Sequence, residues 1–172
     1  MSSDVQEQIA KLQLRLAQLN RIDSCKDDFL TFVKAMWPEF IAGVHHKLIA
    51  EKFQRVADGS LKRLIINMPP RHTKSEFASY LLPAWFIGKN PNMKIIQATH
   101  TTELAVGFGR KVKNLLDRED YQEIFPDAQL AADSKASGRW DTKRGGTYYA
   151  VGVGSNLAGR GGDLIIIDDP HS

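Results

Sequence analysis

The chain has 172 residues, 42% of them hydrophobic and 25% charged, with a formal net charge of +3. That length suits one domain with a real core, and the mildly basic balance permits a nucleic-acid partner without arguing for one. A single cysteine, Cys25, excludes an internal disulfide framework and fits a reducing cytoplasm; there is no apolar run of about 18 residues for a membrane span, and the N-terminus lacks the basic and apolar regions of a signal peptide.

Residues 4–20 read as an amphipathic helix, with Ile9, Leu12, Leu16 and Leu19 on one stripe. The stripe is too short for a coiled-coil seam, so a docking or fraying arm is expected over 1–25. Two further helices are expected at 27–36, before Pro38, and at 44–57, before Asp58-Gly59. The pattern then changes to α/β. A strand at 63–68 precedes a helix at 75–88 kinked by Pro83, and a strand at 94–99 precedes a helix at 102–118. Residues 127–146 are polar and read as loop. Strands at 148–153 and 163–168 follow. This succession argues for a parallel sheet wrapped by helices, occupying residues 26–172.

The most informative stretch is Arg63-Leu-Ile-Ile-Asn-Met-Pro-Pro-Arg-His-Thr-Lys-Ser-Glu76. Its apolar run, tight turn, Lys-Ser pair and helix-compatible continuation have the order of a phosphate-binding loop. A helix N-terminus offers unpaired N–H groups and a positive dipole end, which suit a triphosphate. Lys74 would reach the β- and γ-phosphates and the Ser75 hydroxyl would ligate Mg²⁺. Both glycines of the usual G-x-x-x-x-G-K-[ST] pattern are missing, with Met68 and Thr73 in their places. Thr73 is β-branched and resists left-handed backbone, so the loop is expected to pass it with negative φ. The second element is Gly161-Gly-Asp-Leu-Ile-Ile-Ile-Asp-Asp-Pro170, a fully buried strand over 164–167 ending in two acids. Carboxylates at that end of a strand lie where open α/β sheets bind ligands.

Pro69-Pro-Arg-His-Thr-Lys-Ser75 together with Gly159-Arg-Gly-Gly-Asp-Leu-Ile-Ile-Ile-Asp-Asp-Pro170 resembles the large terminase subunit of tailed bacteriophages over roughly residues 29–172. The resemblance implies an α/β P-loop NTPase fold, a parallel sheet flanked by helices with a helical N-terminal segment. It also implies ATP hydrolysis that drives packaging of double-stranded DNA into a procapsid. Pro70, Arg71, His72, Thr73, Lys74 and Ser75 would then cradle ATP, while Ser75 and Asp168 hold Mg²⁺. Asp169 takes the place of the general base, with a strand-terminating turn as the alternative. Arg71 is the arginine that deviant loops of this family carry, or a solvated loop residue. Arg160, flanked by glycines before the acidic strand, would be a finger reaching the adjacent subunit's site, or an ordinary loop arginine. His46, within Val44-His-His-Lys-Leu-Ile49, matches in position the adenine-binding segment, although paired histidines are more often structural.

Partners implied by the same resemblance are the portal protein, the small terminase subunit and copies of the chain in a ring, in the host cell cytoplasm and away from membranes. In that family the ATPase part continues into a coupling motif and a nuclease domain; this chain is expected to be the ATPase part, incomplete at its C-terminus. His45, His46, His72 and His100 match no metal-ligand spacing. Trp140, beside Lys143 and Arg144, could stack on nucleic acid but is better read as covering a sheet edge. The rival functions are a helicase-like P-loop ATPase and a nucleotide-binding assembly fragment without turnover.

Overall fold

The computed structural model describes residues 3–134, 136–155, 157 and 159–171. Three helices come first: α1 (Ser3–Asp27), α2 (Phe29–Met36) and α3 (Val44–Ala57). Asp28 separates the first two. Its carboxylate accepts from the Thr31 N–H at 2.6 Å, capping α2 as short acidic side chains do. The first helix runs further than its apolar stripe suggested, but 4–20 are exposed throughout, including Leu12, Leu14 and Leu16. Only its last turns dock, through buried Cys25, whose thiol pKa is raised by that burial.

The remaining elements build an α/β layer. A π-helical turn (Glu76–Leu81) leads into α4 (Leu82–Lys89), followed by β1 (Lys94–Thr99), α5 (Thr102–Leu116), α6 (Glu119–Ile124), β2 (Arg139–Asp141), β3 (Thr147–Gly152) and β4 (Leu164–Asp168). The four strands lie in the order β2-β3-β1-β4. β1 is parallel to both β3 and β4, and β2 is antiparallel to β3. The sheet is therefore mixed rather than purely parallel. Both β2 and the six-residue α6 fall within stretches too short to show a period.

The expected strand at 63–68 does not join the sheet. Its burial alternates, with Leu64, Ile66 and Met68 packed on the core and Ile65 outward, as in a strand. No described strand lies alongside to complete a ladder, so the segment stays outside the sheet. The break in the following helix also sits one turn earlier than Pro83. Pro83 has no N–H for the Ser79 carbonyl, and the preceding turn opens so that the Leu82 N–H bonds Phe77 O.

One sheet face carries Ile95, Tyr148, Ala150, Leu164 and Ile166 into the main core beneath the helices. That core is aromatic. Phe29 meets Phe53, Phe77 and Trp85 edge-on, with centroids 5.4, 5.6 and 5.5 Å apart. Trp140 is buried here too, stacked on Tyr148 at 4.9 Å with its indole N–H donating to Gly109 O. It is a core residue, out of reach of any nucleic acid. The other face holds a small cluster of Ile96, Ala98 and Val151 under Tyr149 and Leu157. There Ile165 and Ile167 are 59% and 65% exposed, so β4 is buried on one face and not on both. Among the described residues nothing packs over those two side chains. No described helix is long and apolar enough to cross a membrane.

Candidate functional site

The loop at 69–75 turns sharply without glycine. Arg71 has φ 62° and Thr73 has φ 61°, so the expectation of negative φ at Thr73 is overturned. Left-handed backbone costs a non-glycine residue roughly 1–2 kcal/mol, and more when the side chain is β-branched. What holds Thr73 there is its own hydroxyl. Thr73 Oγ1 donates to His72 O and sits 2.6 Å from His46 Nε2. His46 Nδ1 accepts the Gly43 N–H at 2.9 Å, which leaves the ring proton on Nε2 to be donated to Thr73. A second clasp joins His72 Nδ1 to Pro70 O at 2.8 Å. The left-handed turn is thus tied from outside the loop, by a histidine on α3.

This arrangement corrects the adenine reading of His46. Both ring nitrogens have partners within the chain, and the ring is buried between Phe40 and Phe77, at 4.8 and 5.0 Å. His46 props the loop. Burial, and then the neighbouring His45, hold its pKa below the ordinary 6.5.

Lys74 begins the helical turn after the loop and points at the acidic end of β4. Its ammonium lies 2.5 Å from Asp169 Oδ1 and 3.6 Å from Asp168 Oδ1. The hydrogen bond to Asp169 raises the Lys74 pKa, with Asp168 adding to it. The two acids differ sharply. Asp168, the last residue of β4, is only 6% exposed and opposes Thr99 in register. Asp169 is 63% exposed at the side chain and has left the strand, with φ 42° and its carbonyl accepting the His100 N–H. A cleft of about 490 Å³ opens here, lined by Pro70, Arg71, Thr73, Lys74, Ser75 and Asp169 among others.

Behind Asp168 lie two residues that belong to neither sequence motif. Ser79 Oγ donates to Asp168 Oδ2 at 2.8 Å, and Gln97 Nε2 donates to Ser79 Oγ at 3.1 Å. One signal was available for each. Ser79 is four residues after Ser75, on the same side of a helix, and Gln97 is a polar residue amid the apolar run of β1.

Arg160 lies outside the cleft. Its guanidinium sits 4.1 Å above the Tyr149 ring, on the sheet face away from the main core, after Gly159 at φ 78°. The structure therefore brings Arg71, Thr73, Lys74, Ser75 and Asp169 to one cleft with Asp168 beside it, turns His46 inward beneath the loop, and leaves Arg160 elsewhere. No family model, no curated protein and no solved structure matches this chain.

Proposed function

We propose that the chain binds ATP at the 70–75 loop and hydrolyses it. The observation that carries this reading is the position of Lys74, at the start of a helix and within ion-pair distance of both acids that end β4. A cation and two carboxylates at a helix N-terminus are what phosphoryl transfer to water requires, since catalysis there is positioning plus charge stabilisation. The triphosphate would draw Lys74 away from Asp169, exchanging a half-exposed ion pair for the β- and γ-phosphates. That release frees Asp169 to orient and deprotonate the attacking water, while Arg71 at the cleft wall meets the γ-phosphate.

The donor set fits Mg²⁺. Asp168 and Ser75 are hard oxygen ligands, and Asp168 Oδ1 faces the loop because Oδ2 is taken by Ser79. When bound, Mg²⁺ would neutralise charge on the phosphates. The wider role rests on the resemblance in the loop and strand motifs alone. On that basis the chain is the ATPase part of a terminase large subunit in the host cytoplasm. There it would move double-stranded DNA in a homo-oligomeric ring, with portal protein and small terminase as partners and Arg160 swinging off Tyr149 into a neighbouring site.

Mg²⁺-dependent phosphate release that disappears in Lys74→Ala, and rises with added double-stranded DNA, is the expected result. Activity without a DNA effect would leave an ATPase of another kind. ATP binding without release would favour the assembly-fragment reading, to which the exposed Ile165 and Ile167 also lend support.

A further inference from the structure

We infer that Ser79 and Gln97 are positioning residues that aim the Asp168 carboxylate at the cation site. The inference rests on the nucleotide reading above and deepens it. Three polar side chains run in line through the buried sheet face: Gln97 N–H to Ser79 Oγ, and Ser79 O–H to Asp168 Oδ2. Ser79 and Gln97 are both fully buried, so neither can be solvated in place of these bonds.

The direction of the chain is determined by proton count. A serine hydroxyl has one proton, and a carboxylate can only accept. Ser79 must therefore spend its proton on Asp168 and receive from Gln97. Turning the Gln97 amide around would present Oε1 to Ser79 and compete with Asp168 for that proton. In the orientation present, Gln97 Oε1 is left without a partner among the described residues, although it is fully enclosed. Leaving a buried acceptor unpaired is costly, and a core built for stability alone would place an apolar side chain there. The π-helical turn that Pro83 opens brings Ser79 into this line: it sits directly after Lys74 and Ser75, and such turns are frequent at functional sites. The result is a carboxylate with one oxygen pinned inward and the other, Oδ1, facing Lys74 and the loop.

The experiment measures Mn²⁺ binding by electron paramagnetic resonance in the presence of ADP, and ADP binding alone with EDTA, for the full chain. Asp168→Ala should lose the Mn²⁺ site. Ser79→Ala should weaken Mn²⁺ binding about 10- to 100-fold, the range typical of residues that orient a metal ligand, while metal-free ADP affinity stays within about twofold. Gln97→Met, which keeps the volume and removes the unpaired oxygen, should leave the unfolding midpoint unchanged or raised. It should still weaken Mn²⁺ binding about threefold, because Ser79 is then free to rotate. A role in packing alone would move the midpoint and not the metal affinity.

Mn²⁺ affinity within about twofold of wild type in folded Ser79→Ala, with the Asp168→Ala effect present, overturns the inference and leaves the nucleotide reading standing. If Ser79→Ala does not fold, Gln97→Met decides in the same way. Absence of Mn²⁺–ADP binding in the wild-type chain overturns the nucleotide reading and the inference with it.

Discussion

The loop at 69–75 and the aromatic core beneath it meet at His46 and Phe77, yet different physics holds each of them. The core is redundant. Phe29 alone touches Phe32, Phe53, Phe77 and Trp85, so its geometry is determined many times over by packing. The loop has two left-handed non-glycine residues and a short set of hydrogen bonds, two of which pass through Thr73 Oγ1. Its shape is borrowed from His46, which the core in turn clamps between Phe40 and Phe77. Mutations in the two regions should therefore register differently. Damage to the core should appear as lost stability, and damage to the loop as lost binding with the fold intact.

The largest effect should come from Phe29→Ala. Truncating a fully buried ring that packs edge-on against several others should cost roughly 3–5 kcal/mol, read from the denaturant midpoint at unchanged slope. A cost below about 1 kcal/mol would mean that the core is looser than its packing implies. On the loop side, Lys74→Ala should weaken Mg²⁺–ATP binding at least about 100-fold, near 2.7 kcal/mol, in a calorimetric titration. Its unfolding free energy should move by less than about 1 kcal/mol, because the ion pair to exposed Asp169 is screened. Equal ATP affinity in mutant and wild type would mean that Lys74 does not meet the phosphates.

Two variants at Thr73 separate strain from tether. Thr73→Val keeps the branched side chain in left-handed backbone and leaves the His46 Nε2–H without its acceptor, which should cost about 1–3 kcal/mol. Thr73→Gly loses the same bond but relieves roughly 1–2 kcal/mol of strain, so stability should change little. Its ATP affinity should stay within about tenfold of wild type, since backbone N–H groups would hold the phosphates in the proposed site. Equal unfolding midpoints for the two variants would show that the left-handed turn carries no strain worth relieving.

A smaller effect is expected from pH. His46 is held neutral, with a folded pKa below 6.5, so below that pH the unfolded chain binds a proton that the folded chain resists. The stabilising contribution is complete above about 6.5 and is lost as pH falls through the folded value. Urea midpoints at about pH 8 and about pH 5.5 should differ in that direction, and His46→Gln should flatten the difference. A midpoint that rises on acidification would contradict the buried neutral ring. Smallest of all should be Arg160→Ala. It removes an exposed contact with Tyr149 worth about 0.5–1 kcal/mol and should leave the ATPase rate of an isolated subunit unchanged. In a complete ring, mixing Arg160→Ala with Asp169→Ala subunits should restore part of the activity, and failure to exceed either mutant alone would count against a finger.

Helix α3 and strand β1 lie where sequence placed them, because a sustained apolar period and clear stop signals are local properties. The Lys74-Ser75 pair and the two acids after 164–167 were legible for the same reason, since both follow apolar runs at fixed short distances. That Lys74 meets Asp168 and Asp169 was only an expectation, and the crossing of the chain supplied the contact. Other features were never local. Whether 63–68 joins a ladder depends on a neighbour strand, and whether Ile165 and Ile167 are buried depends on a covering layer. The positive φ at Thr73 could not be read from a β-branched residue, because the bond that holds it comes from His46 on another helix. The line from Gln97 through Ser79 to Asp168 exists only after β1, the π-helical turn and β4 have packed together. Periodicity and turn chemistry are written in neighbouring residues; strain, burial and hydrogen-bond partners are decided by residues far apart in the chain, and only the folded packing brings those together.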